Sequence, residues 1–254
     1  MESYAQAYAA DSSIKGKAVR RWARLRHQRP LPVSPGRPIV SFSFDDAPLT
    51  STTVGAEILE SRAVRGTYYA SAGLAGTQAP MGVCAVAEDY LRLSAGGHEI
   101  ACHTYSHLDC GRANAEAAAA DVTRNLEAFA AWGLPAPDSF AFPYGDVSAG
   151  PKGALATRFN NMRGLHHGLI DQGCDMNQAP AVGIEGPIGE AAAWRWLETC
   201  ERKRSWLILY THDVRENPSP WGCTPKTLEA LLDASLGAGF EIMTVGAAAK
   251  VLGL

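Results

Sequence analysis

Nowhere in this chain does an apolar run reach the ~18 residues that a membrane-crossing helix needs, so no transmembrane span is predicted. The N-terminus also lacks the compact apolar core of a secretory signal, which favours a cytoplasmic location. No two cysteines stand in CxxC spacing. Cys84, Cys102, Cys110, Cys174, Cys200 and Cys223 are scattered and read as reduced core or loop thiols rather than a disulfide framework. There is no internal repeat, and no domain linker is visible after Pro35. Charge is sparse at 19%, against 46% hydrophobic residues, so 254 residues can bury a large core as one domain of α/β-barrel size.

That sparse charge is unevenly placed. The first 30 residues hold seven Lys or Arg against two acids, so a whole-chain charge of −3 leaves about −8 on the rest. The acidic remainder argues against a general nucleic-acid binder. Within KGKAVRRWARLRHQR (Lys15–Arg29), Ala18, Trp22 and Leu25 recur at helical spacing among the cations. One reading is a helix over residues 14–29 lying on an anionic membrane, at the inner membrane surface. The plainer expectation is a terminal helix that docks Trp22 and Leu25 on the domain and leaves its cations in water. Residues 1–35 thus form a basic helical extension ahead of a domain spanning 36–254.

Beyond Pro30 the pattern alternates. Strands are predicted at Pro38–Phe44, Gly66–Ser71, His98–Ala101, Ser139–Phe142, Trp206–Thr211 and Phe240–Thr244. Helices are predicted at Thr52–Arg62, Ala85–Ser94, Asn114–Trp132, Pro151–Met162, Glu190–Arg204, Thr224–Leu236 and Val245–Leu252. Gly96-Gly97 can end a helix in the left-handed conformation, and Thr224-Pro225 joins an N-cap to proline at the first helical position. The stretch Gly164–Gly189 shows little periodicity. Strands alternating with helices imply a parallel sheet covered on both faces, as a barrel or a doubly wound layer.

The polar clusters fall at predicted strand ends. Asp45-Asp46 closes SFSFDDAP, His103 and His107 follow HEIAC, Pro143-Tyr144 follow SFAF, and His212 ends WLILYT. In a parallel barrel those ends share the face where catalytic groups collect. One carboxylate and two histidines make a three-ligand site with an open position for water, and the adjacent carboxylate can take that water's proton. Each residue also has a plainer reading. Asp46 could cap the next turn, His103 and His107 could merely share a turn's face, and His212 could be a bonded barrel histidine.

At these residues the chain resembles the polysaccharide deacetylase family, the NodB-homology domain of carbohydrate esterase family 4. SFSFDDAP, HTYSH, FAFPYG and LILYTHD occur in the family's order, and the resemblance runs from about Pro38 to the C-terminus. It implies a distorted (β/α) barrel, here with the helical extension ahead of it. The implied reaction removes N-acetyl groups from an amino sugar, glycan or glycan precursor, with metal-bound water as nucleophile. Carried over, Asp46, His103 and His107 would hold a divalent metal, with Zn²⁺ first and Co²⁺ or Ni²⁺ able to use the same ligands. Asp45 would be the base, His212 the acid to the leaving amine, and the Tyr144 N–H an oxyanion donor. Pro143, Tyr144 and Trp221 would face the sugar. A lipid-linked glycan becomes the attractive substrate if the N-terminal helix touches membrane.

Two positions depart from the family pattern. Where it carries Arg-x-Pro-Tyr, this chain has Ala141-Phe142-Pro143-Tyr144, and Arg163 is the candidate replacement guanidinium. The acid and tryptophan that support the catalytic histidine are not recognisable, leaving Asp171 and Asp175 as candidate acids. Rival readings are hydrolysis of another amide (a cyclic imide, ureide or peptidoglycan-type substrate), a non-haem iron oxygenase using the same ligands, and a silent carbohydrate-binding relative. Oligomeric state is left open.

Overall fold

The apolar run IVSFSFD forms β1 (Ile39–Asp45), buried along its whole length as befits a strand covered on both faces. It belongs to a computed structural model that describes Asp11 and residues 13–254. The other strands are β2 (Thr67–Ala70), β3 (Gln78–Ala79), β4 (Gly82–Val83), β5 (Glu99–Cys102), β6 (Ser139–Ala141), β7 (Asn161–Arg163), β8 (Val182–Gly183), β9 (Trp206–Thr211) and β10 (Glu241–Ile242). Apart from the small β3–β4 hairpin they form one parallel sheet in the order β7-β6-β5-β2-β1-β9-β8, with β10 also on β1. The β7 edge is bonded to the chain entering β8. Gly164 N donates to Ala179 O at 2.9 Å, and Ala179 N donates to Met162 O at 2.8 Å. That bridge curls the sheet into a distorted barrel.

Among the described residues, eight α-helices accompany the strands: α1 (Ile14–Leu25), α2 (Ala56–Glu60), α3 (Ala87–Ala95), α4 (Ala115–Trp132), α5 (Ala149–Leu155), α6 (Gly186–Lys203), α7 (Pro225–Gly237) and α8 (Val245–Val251). Their ends follow the sequence signals. The Asn114 side chain caps α4 through Ala117 N, Gly133 ends it at φ 85°, and Thr224 caps α7 ahead of Pro225. Period-2 alternation divides β1 between two environments. Val40, Phe42 and Phe44 pack outward with Leu228, Leu231 and Leu232 of α7, whereas Ser41, Ser43 and Asp45 alternate with them. At the other end of the barrel, Glu99 accepts from Thr67 Oγ1 at 2.8 Å and Ser139 Oγ at 2.5 Å, closing that end with a bonded polar cluster.

Three expectations change. The helix predicted at Pro151–Met162 stops at Leu155, and Asn161–Arg163 is the strand β7, because Met162 pairs in register with Phe140 inside the sheet. The segment predicted as the helix Thr52–Arg62 begins as a wide π-helical turn, Ser51–Gly55, before α2. Most consequentially, α1 does not dock Trp22 and Leu25. It buries Gly16 and Ala23 and leaves Trp22 56% and Leu25 62% exposed. The chain after α1 is knitted to the barrel: Leu31 exchanges backbone bonds with Gly173 and Cys174, and Arg29 donates to Phe159 O at 2.6 Å.

Candidate functional site

The site assembles at the carboxyl ends of the strands. Asp45 is the last residue of β1, and Asp46 turns away at φ 56° in the left-handed region that non-glycine residues rarely adopt. The turn is held because Ala85 N donates to Ala47 O at 3.0 Å. The two adjacent carboxylates can therefore serve different partners.

His103 and His107 follow β5 on an irregular loop, not a helix, with φ 61° at Thr104 and 57° at His107. Their fourfold spacing is thus produced by loop geometry. Asp121 of α4 pins this loop by accepting from Tyr105 N at 2.8 Å, Ser106 N at 3.0 Å and Ser106 Oγ at 2.9 Å. One turn along α4, Asn125 accepts from Ala72 N at 2.8 Å and donates to Ala70 O at 3.0 Å, tying the same helix to the end of β2.

Asp46, His103 and His107 converge, with ligand atoms all within 4.8 Å of one another. His107 Nε2 lies 3.3 Å and His103 Nε2 3.7 Å from Asp46 Oδ1. Burial, followed by the neighbouring His107, lowers the His103 pKa to about 4, so its ring is neutral at pH 7. Its Nδ1 meets Ala141 O at 2.8 Å. A carbonyl can only accept, so Nδ1 carries the hydrogen and Nε2 presents a lone pair to the cluster. Burial and the charge of His212 likewise lower His107 to about 4. Burial raises the Asp46 carboxyl above its ordinary value, and its Oδ1 is buried without a hydrogen-bond donor among the described residues. Converging acceptors around an orphaned carboxylate oxygen fit a divalent cation.

Asp45 has a different environment. Arg163, the last residue of β7, stands in register beside Ala141, and its Nη2 lies 2.5 Å from Asp45 Oδ1. Arg163 is fully buried, with its guanidinium 4.7 Å from the Tyr69 ring centre and 5.2 Å from that of Tyr210. Burial alone would raise the Asp45 pKa, but Arg163, His103 and His212 outweigh it and hold the carboxyl below its ordinary value. Burial opposes the Arg163 charge too, yet Asp45 tips the balance towards it.

His212 follows β9, and its Nδ1 lies 3.2 Å from Glu185 Oε1 and 3.2 Å from Trp221 O. Burial disfavours the imidazolium, but Glu185, Asp45 and Asp46 raise the pKa to about 9, so His212 is cationic at pH 7. Glu185, two residues past β8, is the acid that meets His212, and no sequence motif marks it. Asp171 and Asp175 are engaged elsewhere, since Asp171 accepts from Ser34 Oγ and Asp175 meets Lys152 Nζ at 2.5 Å. The usable signal for Glu185 was its place at a strand end, hidden because β8 is two residues long.

The remaining residues sit around this centre. Tyr144, in the turn Pro143–Gly145, has φ 60°, is 38% exposed and meets the His107 ring edge-on at 4.5 Å. Gly145 is needed there: at φ 66° its Cβ would lie 2.4 Å from Leu165 Cγ. Trp221, like Leu74, packs against the cluster of Ala79, Met81 and Cys84, while its carbonyl faces His212. Cys102 and Cys110 lie in the apolar core with Phe140 and Phe142.

Residues 33–157 match the family model for polysaccharide deacetylase. Over that stretch the chain is similar to the polysaccharide deacetylase family. A chitin deacetylase of Colletotrichum lindemuthianum is 24% identical over 214 residues, 82% of this chain and 78% of that protein. That fungal enzyme's solved structure shares the fold with a TM-score of 0.62 at 19% identity, over 85% of this chain and 89% of its own. A family 4 acetyl xylan esterase from Clostridium thermocellum, solved with a cobalt ion, gives 0.59 at 17% identity over 84% and 91%. In this chain Arg163 on β7 holds Asp45, and Glu185 after β8 meets His212.

Proposed function

We propose that this protein is a metal-dependent hydrolase of the polysaccharide deacetylase type that removes N-acetyl groups from an amino sugar, glycan or glycan precursor. The reading rests on one observation. An ionised, arginine-held carboxylate (Asp45) and a cationic, glutamate-held histidine (His212) flank a cluster of cation ligands. Mere sugar binding needs neither pair. The relatives support the coarser reading of acetyl removal from a carbohydrate, one being a chitin deacetylase and another an acetyl xylan esterase.

Asp46, His103 and His107 would hold the ion. A divalent cation there would acidify water towards a pKa of ~7 and polarise the acetyl carbonyl. Zn²⁺ suits one carboxylate and two imidazoles, and Co²⁺ or Ni²⁺ could take their place. Asp45 accepts a proton as the water oxygen bonds to the acetyl carbon. Arg163 keeps that carboxylate ionised and aimed. The Tyr144 N–H is the donor for the developing oxyanion, where one donor is worth ~10²–10³ in rate. The C–N bond then breaks, and His212 gives its proton to the departing nitrogen, leaving acetate and a free amine. The cationic state of His212 favours an amide substrate, because an unprotonated amine anion is a very poor leaving group.

Acetate release tests this. Metal-stripped protein reloaded with Zn²⁺, Co²⁺ or Ni²⁺ is expected to release acetate from N-acetylglucosamine oligomers faster than from acetylated xylan. Metal binding without acetate from either substrate would overturn the reading.

A further inference from the structure

In α1 the small residues face the protein and the large apolar ones face away from it. The docked seam is Gly16, Arg20 and Ala23. Lys152 Nζ of α5 donates to Ala23 O at 2.8 Å, and Arg20 Nη1 lies 3.7 Å from Asp146 Oδ2. On the other side, Ile14, Ala18, Trp22 and Leu25 recur at i, i+4, i+8 and i+11, which aligns them along one helix face. Ile14 is 89% exposed, and Trp22 and Leu25 are more than half exposed. Exposed cations border the stripe, with Lys17, Arg21 and Arg24 on one flank and Lys15 on the other; the Arg26 guanidinium lies 5.2 Å from the Trp22 ring centre.

We infer that α1 is an interfacial anchor that seats the protein on an anionic lipid bilayer. A short helix with a Trp-bearing apolar stripe and basic margins matches a membrane-water interface, where the stripe leaves water and the cations meet headgroups. Charge distribution selects this occupant and its orientation. The first 30 residues are net positive by about 5 while the remainder carries about −8, so an anionic surface attracts α1 and repels the other faces. No helix among the described residues is long and apolar enough to cross a membrane. Asp146, the partner of Arg20, directly follows the Pro143–Gly145 turn, so the anchor lies beside the loop that carries Tyr144.

The test is co-sedimentation of the full chain with phosphatidylcholine vesicles, with and without phosphatidylglycerol, at low and high salt. The chain is expected to pellet with the anionic vesicles and to be released by about 0.5 M NaCl. Each of Lys17→Gln, Arg21→Gln and Arg24→Gln should weaken binding roughly fivefold. Trp22→Ser with Leu25→Ser should weaken it roughly tenfold or more while leaving acetate release from a soluble glycan unchanged. Failure to pellet with anionic vesicles at low salt would overturn the inference, as would binding indifferent to the Trp22/Leu25 pair. A dimer that the same pair converts to monomer, without vesicle binding, would also overturn it and assign the stripe to a second copy. Vesicle binding is read without turnover, so its failure is separate from that of the deacetylase reading.

Discussion

Arg163 Nη2 lies 2.5 Å from Asp45 Oδ1, joining residues 118 positions apart across the mouth of the barrel. Ala141 occupies the place where the family pattern carries arginine, and Arg163 is its register neighbour on the next strand. The Arg163 guanidinium thus reaches Asp45 from the strand beside Ala141.

This relationship predicts that Arg163→Ala lowers kcat by at least about tenfold while metal content stays at one ion per chain, because the base loses its orienting partner but the ligands keep theirs. Arg163→Lys should recover only part of the rate, since an ammonium lacks the planar fork. Turnover by Arg163→Ala equal to the parent would end the idea of a displaced arginine.

The ligand and base roles separate in the same way. Asp46→Ala and His103→Ala are expected to lose the ion, measured by metal analysis after dialysis. Asp45→Asn should retain it and lose about 10²–10⁴ in kcat. Metal retained by both ligand variants would dismiss the assignment.

Glu185 raises the pKa of His212 by favouring the imidazolium, so Glu185→Gln should lower it. As the proposed acid, His212 would act in its protonated form, which is lost as pH rises through that pKa. The alkaline limb of the kcat–pH profile should therefore move to lower pH in Glu185→Gln. An unmoved limb with reduced kcat would mean that Glu185 only supports the structure.

Asp121 is not among the candidate ligands, yet it accepts three hydrogen bonds from the loop between the two histidines. Asp121→Ala should weaken metal affinity by about 10–100-fold, as loss of such supporting contacts commonly does. Zn²⁺ titration against a chelator measures this, and parent-like affinity would show that the loop holds its shape unaided.

Lys152 is fully buried with its ammonium on Asp175 and Ala23 O. Lys152→Met should cost about 3 kcal/mol in urea denaturation by leaving Asp175 without its cation. A loss below about 1 kcal/mol would mean that the backbone donors already bonded to Asp175 suffice.

Much of this was legible in local sequence. Apolar runs ending in Asp45, at HEIAC before His103 and in WLILYT before His212 form strands because burial on both faces demands such runs, and their parallel packing brings their ends together. The candidate residues at those strand ends were therefore nameable from the sequence. What local pattern could not convey depended on contacts between distant segments. The β6–β7 register alone sets Arg163 beside Ala141, and a two-residue β8 offers no periodicity to announce Glu185. Helical spacing showed that Ala18, Trp22 and Leu25 share a face, but packing decided that the opposite seam of small residues would meet α5. Periodicity states which side chains lie together; which of those faces is buried depends on the shape and charge of what the rest of the chain places against it.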